Sequence, residues 1–179
     1  GAAFVFLGSA SGIVGTNPTT AATLLESDQA GANMGWSVSG AGDVNGDGYA
    51  DVIVVAPYYG IGGAAFVFHG SASGIVGTNP ATADAVLADM GRSVSGAGDV
   101  NGDGYADIIV GAPYYGIGGA AFVFHGSASG IVGTNPATAD AVLESVQADA
   151  RMGWSVSGAG DVNGDGFADV IVGAYEYDN

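Results

Sequence analysis

The 179-residue sequence predicts an all-β protein built from four-stranded antiparallel meanders of the β-propeller type, and three observations predict it. The chain repeats itself: AAFVF begins at Ala2, Ala64 and Ala120, and DVNGDG begins at Asp43, Asp99 and Asp161. Each copy holds short apolar or β-branched runs separated by Gly, Asn, Asp and Pro, the punctuation of strands and tight turns. The repeat length, on the order of 60 residues, suits a four-stranded propeller blade, whereas the coils of the competing β-solenoid are about 20 to 30 residues.

Within a unit, Trp36 to Gly42 (WSVSGAG) alternates large and small side chains and reads as a first strand. Ala50 to Ala56 (ADVIVVA), apolar and β-branched, reads as a second. Pro57 to Gly63 (PYYGIGG) is turn chemistry leading into a third strand, AAFVF. From Ser71 to Asp89 the chain is rich in small polar residues, anchored by Ile75, Val76, Val86 and Leu87; a short outer strand, or part of a helix around Ala83 to Ala88, fits it. The result is two full blades, 34–89 and 90–151, flanked by two complementary half-blades. Residues 1–33 supply strands three and four, and 152–179 supply strands one and two. LADMGRSVSG of the second copy is six residues shorter than LESVQADARMGWSVSG of the third, which marks a peripheral connection that tolerates length change.

Composition narrows the function. Arg92 and Arg151 are the only fixed positive charges against 18 acids, for a formal net charge of -16. Nucleic acid and anionic lipid both need a basic surface, so neither is a partner; cations are the better match. Without cysteine there are neither disulfides nor thiolate metal sites. The longest apolar runs, such as Val52 to Ala56, are far below the ~18 residues that span a bilayer, so no membrane insertion is expected. The chain starts at Gly1 with no apolar signal core, which reads as a processed chain, a fragment or an excerpt.

The chemistry lies in D-x-N-x-D-G-x-x-D, which every unit carries. Calcium takes six to eight oxygens, and alternating oxygen-bearing residues let a curling loop converge on one ion. The expected ligands are Asp43, Asn45, Asp47, the Tyr49 carbonyl and Asp51 in the first loop. The second uses Asp99, Asn101, Asp103, Tyr105 and Asp107, and the third Asp161, Asn163, Asp165, Phe167 and Asp169, giving three Ca2+ sites. EF-hand-like modules need an acid at position 12, where this chain has Val54, Val110 and Val172 inside a strand. The alternative is that Asp and Asn merely shape Asx-turns, but nine of the 18 acids crowd into these loops, where uncompensated like charges would repel.

The order MGWSVSGAGDVNGDGYADVIVVAPYYGIGGAAFVFHGSASG resembles the FG-GAP repeat, the β-propeller repeat of the integrin α head. The resemblance spans all three units and implies a blade with calcium between its first two strands, and a role in adhesion or ligand recognition. The departures are local. The opening pair is Met34-Gly35 or Met152-Gly153 in place of Phe-Gly, and Gly-Ala-Pro is intact only at Gly111-Ala112-Pro113. The first copy has Val55-Ala56-Pro57, the third Gly173-Ala174-Tyr175, and Arg92 replaces the tryptophan of Trp36 and Trp154.

Catalysis finds little support. His69 and His125 share a repeat position with Leu7 and read as strand-end packing sites. There is no cysteine or lysine, no G-x-S-x-G elbow and no Walker loop, and every recurrent carboxylate pair is assigned to calcium. The expectation is a non-enzymatic, extracellular or cell-surface module for adhesion, protein or glycan recognition, or surface assembly. The alternatives are an accessory propeller of a larger secreted enzyme and an engineered consensus repeat. The half-blades further predict pairing with copies of the same chain, as a dimer or a filament.

Overall fold

The structure, a computed structural model, describes residues 1–178. Strand β1 (Ala2–Val5) pairs antiparallel with β4 (Thr23–Glu26), and between them lies the small hairpin of β2 (Gly8–Ser9) and β3 (Gly12–Ile13). The first four-stranded sheet contains β5 (Val38–Gly42), β6 (Asp51–Ala56), β7 (Ala64–Phe68) and β8 (Ala85–Ala88) in chain order. The second contains β9 (Ser93–Gly98), β10 (Asp107–Ala112), β11 (Ala120–Phe124) and β12 (Ala141–Glu144) in the same order. A last pair joins β13 (Met152–Gly160) to β14 (Asp169–Ala174). Each full sheet is therefore a meander, as blades of a β-propeller are. The two repeat the same register, Ile53 opposite Val67 and Ile109 opposite Val123.

The outer segment forms a strand, and its helical propensity is satisfied just upstream. A single 3-10 turn spans Pro80–Thr82, where proline presets φ, the Asn79 side chain accepts the Ala81 amide, and Thr82 Oγ1 accepts the Asn79 amide. The same capped turn recurs at Pro18–Thr20 and Pro136–Thr138. The first strand of the first blade starts at Val38, two residues later than the alternation suggests. There the Gly35 and Trp36 amides both point at the Val55 carbonyl (2.9 and 3.3 Å), so one carbonyl opposes two residues.

Sheets stack face to face, which explains why β6 and β7 are apolar along their whole length. One face of the first sheet, with Ile53, Val55, Val67 and Leu87, packs on Ile108, Val110, Phe122 and Phe124 of the second. Its other face, with Val54, Phe66 and Phe68, packs on Ala3 and Leu25 of the β1–β4 pair. Each fully buried phenylalanine contributes about 2 to 3 kcal/mol by leaving water. The inner strands are narrower. A Cβ on Gly96 would lie 2.8 Å from the Gly40 carbonyl oxygen, and one on Gly158 would lie 2.7 Å from that of Gly96. Backbone meets backbone at the inner edge, so the strand sequence must be Gly- and Ala-rich there.

This topology sorts the connections onto two faces. Loops between first and second strands share a face with those between third and fourth. Thus the Ser127 amide donates to the Val44 carbonyl of the preceding blade at 3.0 Å. The turns between second and third strands, and the connections from one blade to the next, lie on the opposite face. No helix among the described residues is long and apolar enough to cross a membrane.

Candidate functional site

The acidic loops all lie on the first of these faces, and their geometry is repeated almost atom for atom. Asp43 Oδ1 accepts the amides of Gly46 (2.7 Å) and Asp47 (3.1 Å), and its Oδ2 accepts that of Gly48 (2.8 Å). Asn45 Oδ1 accepts the Asp47 amide at 3.0 Å, and Asp47 Oδ1 accepts that of Tyr49 at 2.9 Å. Asp99, Asn101 and Asp103 hold the second loop in the same way, as do Asp161, Asn163 and Asp165 in the third. The turn needs left-handed backbone at Gly46 and Gly48, which glycine supplies without strain.

Asp51 and Asp107, at position 9, are fully buried. One Asp51 oxygen accepts the Val44 amide and the other the Gly70 amide, both at 2.8 Å, and Asp107 repeats this with Val100 and Gly126. Burial pushes both carboxyls above the usual carboxylate range, with those amides pulling in the opposite direction. Asp169 accepts only the Val162 amide and is partly exposed. The Tyr105 amide first, and then the Asn101 side chain, hold Asp103 below the usual range, while the Gly166 amide is the main influence lowering Asp161.

The donor set suits a hard cation. Asp43 Oδ2, Asn45 Oδ1 and Asp47 Oδ1 each accept one N–H, which leaves each a lone pair. Every candidate ligand is an oxygen, and no arginine ion-pairs with a loop acid among the described residues. Among those residues no three His, Asp or Glu side chains form a metal cluster by themselves; the loop's remaining oxygens come from Asn45 and the backbone, and each Asp51 oxygen, accepting one N–H, likewise keeps a lone pair.

Two features escaped the sequence reading. The aromatic residue at position 7 packs on the preceding loop: Tyr105 lies over Gly46 and Phe167 over Gly102, where an added Cβ would stand 2.6 Å from each ring. Neighbouring loops are thereby fixed relative to each other. The histidines sit close by, His69 Nδ1 being 3.5 Å from Asp84 and His125 Nδ1 3.8 Å from Asp140. On the opposite face, positions 36 and 92, just before β5 and β9, and 154, near the start of β13, come together. The Arg92 guanidinium lies 4.6 Å from the Trp36 ring centre, 5.6 Å from Tyr114 and 5.8 Å from Trp154, and Arg151 lies 5.0 Å from Tyr114.

Stacked meanders with inner-edge glycines and an acidic loop between first and second strands define a β-propeller repeat protein. The FG-GAP repeat model matches residues 34–68, 90–124 and 152–179, more than half of the chain, which therefore belongs to the FG-GAP repeat family. Among curated relatives, integrin alpha-3 of Cricetulus griseus is 33% identical over 162 residues, covering 84% of this chain and 15% of its own length. Integrin alpha-7 of Homo sapiens is 35% identical over 158 residues, covering 84% and 13%. Integrin alpha pat-2 of Caenorhabditis briggsae is 36% identical over 158 residues, covering 76% and 13%. The chain thus spans a small part of each relative it matches.

Proposed function

We propose that the chain is a non-catalytic, calcium-stabilised recognition module of the adhesion type, displayed outside the cell or at its surface. The observation that carries this reading is the threefold recurrence of one oxygen-only loop with the same hydrogen bonds in each copy. Asp43, Asn45, Asp47, the Tyr49 carbonyl and Asp51 hold one Ca2+, and their counterparts in the second and third loops hold two more. Calcium here offsets the repulsion of three carboxylates per loop and clamps the hairpin between first and second strands. The integrin alpha relatives support the adhesion role.

The same reading includes strand pairing at the ends. β1 and β14 each have one paired edge, whereas their counterparts within the full blades have two. By the register of β6 with β7, β14 would set Val170 opposite Phe6 and Ala174 opposite Ala2. The partner strand comes from a neighbouring repeat of a longer array or from a second copy.

Calorimetric titration of the metal-free 179-residue chain with calcium tests the central claim. Close to three equivalents are expected, and two for Asp103→Ala. A melting temperature that chelator leaves unmoved would sink it.

A further inference from the structure

On the face away from the acidic loops, Arg92 lines a cleft of about 530 Å³ at the junction of the two full blades. The cleft exists because this junction is built differently from the other two. At the first junction, Gln29 of the long connector reaches the next blade's turn: its Nε2 donates to the Tyr58 carbonyl at 2.8 Å and its Oε1 accepts the Gly60 amide at 2.9 Å. At the third, the Gln147 side-chain amide reaches the equivalent turn, its nitrogen donating to the Asp178 carbonyl and its oxygen accepting the Asp178 amide, both at 2.9 Å. The six residues missing from the middle connector, SVQADA in the third copy, include this glutamine. The equivalent turn at Tyr114 and Gly116 has no such plug, and Tyr114 lines the open cleft with Tyr58, Ile61, Asp89, Met90 and Arg92.

The substitution of arginine for tryptophan falls in the same shortened copy. Arg92 makes no side-chain hydrogen bond or ion pair with any described residue, and its Nε is buried without a partner. This in a chain with 18 acids is a strong observation, because pairing would have been easy. The guanidinium carbon lies over the Trp36 and Trp154 rings, which leaves the group's planar fork of donors to match a carboxylate. Asp89, which occupies the backbone position of Arg151 in the long connector, adds an acceptor to the same wall. A bare anion has no use for that acceptor, whereas a hydroxylated ring has. Exposed Tyr58 and Tyr114 offer faces on which such a ring can lie.

We propose that this cleft binds an acidic sugar carrying a single uronate. The carboxylate docks on Arg92, hydroxyls donate to Asp89, and the pyranose ring lies against Tyr114. One charge is favoured over many because the net charge of -16 repels a polyanion. The inference rests on the reading of the chain as a recognition module, but not on metal in the loops.

The test is a titration of the 179-residue chain, in calcium, with aldotriouronic acid (one glucuronate on a neutral xylose pair), against neutral xylotriose. Trp36 and Trp154 flank Arg92, so intrinsic fluorescence reports binding directly. Saturable binding is expected for the acidic trisaccharide, weakened about 10- to 100-fold by Arg92→Gln or Arg92→Trp. Arg92→Trp installs the side chain that the other two copies carry at this position, and calcium uptake by both variants checks that the fold is kept. Insertion of Ser-Val-Gln-Ala-Asp-Ala after Ala88, restoring the long connector, should abolish binding while leaving calcium uptake intact. The proposal is overturned by no binding, by equal binding of xylotriose, or by binding that survives both Arg92 variants, as it would if loop calcium held the sugar. Tighter binding of free acetate or of an aspartate-bearing tripeptide would equally overturn it. Failure of calcium uptake in calorimetry, by contrast, bears only on the loops.

Discussion

The buried carboxylate of Asp51 accepts the amide of Gly70 at 2.8 Å, which ties the acidic loop to a connection 19 residues further along the chain. With the Val44 bond from its other oxygen, this residue joins the first, second and third strands at one end of the blade. Asp107 does the same in the second blade. Replacing Asp107 by Ala leaves one buried and one part-buried N–H group without acceptors and is expected to cost about 2 to 4 kcal/mol. Asp169→Ala removes one bond at a more exposed place and should cost about 1 kcal/mol. Urea denaturation of the metal-free variants measures both, and equal losses would count against the assignment.

Acid should act on the two kinds of loop carboxylate in opposite senses. In metal-free protein, burial raises Asp51 and Asp107 above their unfolded values, so their contribution to stability is fully present below the unfolded value and is lost as pH rises through the folded one. Asp103 and Asp161 are lowered, so theirs is present above the unfolded value and is lost as pH falls through the folded one. Carboxyl-carbon NMR titration should find Asp51 and Asp107 protonating before Asp103 and Asp161 as pH falls. The reverse order would refute the burial argument.

Calcium should tighten each hairpin locally. With free calcium at about ten times the dissociation constant, each site adds about 1.4 kcal/mol by mass action. Asp103→Ala should raise hydrogen exchange mainly within Gly98 to Ala112, leaving the β5–β8 sheet as protected as before. Exchange that rises throughout the chain would mean a global switch instead.

Blade junctions differ in the room they leave. A Cβ on Gly111 would run into the Gly153 carbonyl, whereas the same repeat position beside the short connector holds the fully buried Val55. Gly111→Val is therefore expected to destabilise by more than about 2 kcal/mol through overpacking. Val55→Gly should cost about 2 to 3 kcal/mol through an unfilled cavity and a more flexible strand. Thermal melts that show Gly111→Val to be neutral would contradict the junction geometry.

Periodicity made much of this legible in advance. The strands at Asp51–Ala56 and Ala64–Phe68 lie within a residue of where β-branched runs and turn chemistry put them, because burial on both faces leaves a continuous apolar signature. The outer strand was ambiguous because its side chains are small and its capping turn is helical, two local signals that tertiary pairing with Ala64–Val67 resolves. The acidic loop was visible as spacing, while the partners of Asp51 were not. Gly70 has no side chain to mark it, and nothing in a linear motif specifies a contact 19 residues away. The gathering of positions 36, 92 and 154 was likewise hidden, since it depends on how inner strands abut and not on any one of them.

Three identical AAFVF strands raise a question of fidelity, because side chains cannot tell β7 from β11 when either meets β6. The tether can. The turn 57–63 joins β6 to its own partner, whereas the next identical strand is reached only through a span roughly nine times longer, and closing that loop costs about 2 kcal/mol more. That difference favours the nearer strand by about 25-fold before any contact has formed. Correct pairing among interchangeable copies is thus encoded in the brevity of a turn, and each lengthening of Pro57–Gly63 with flexible residues would erode that preference.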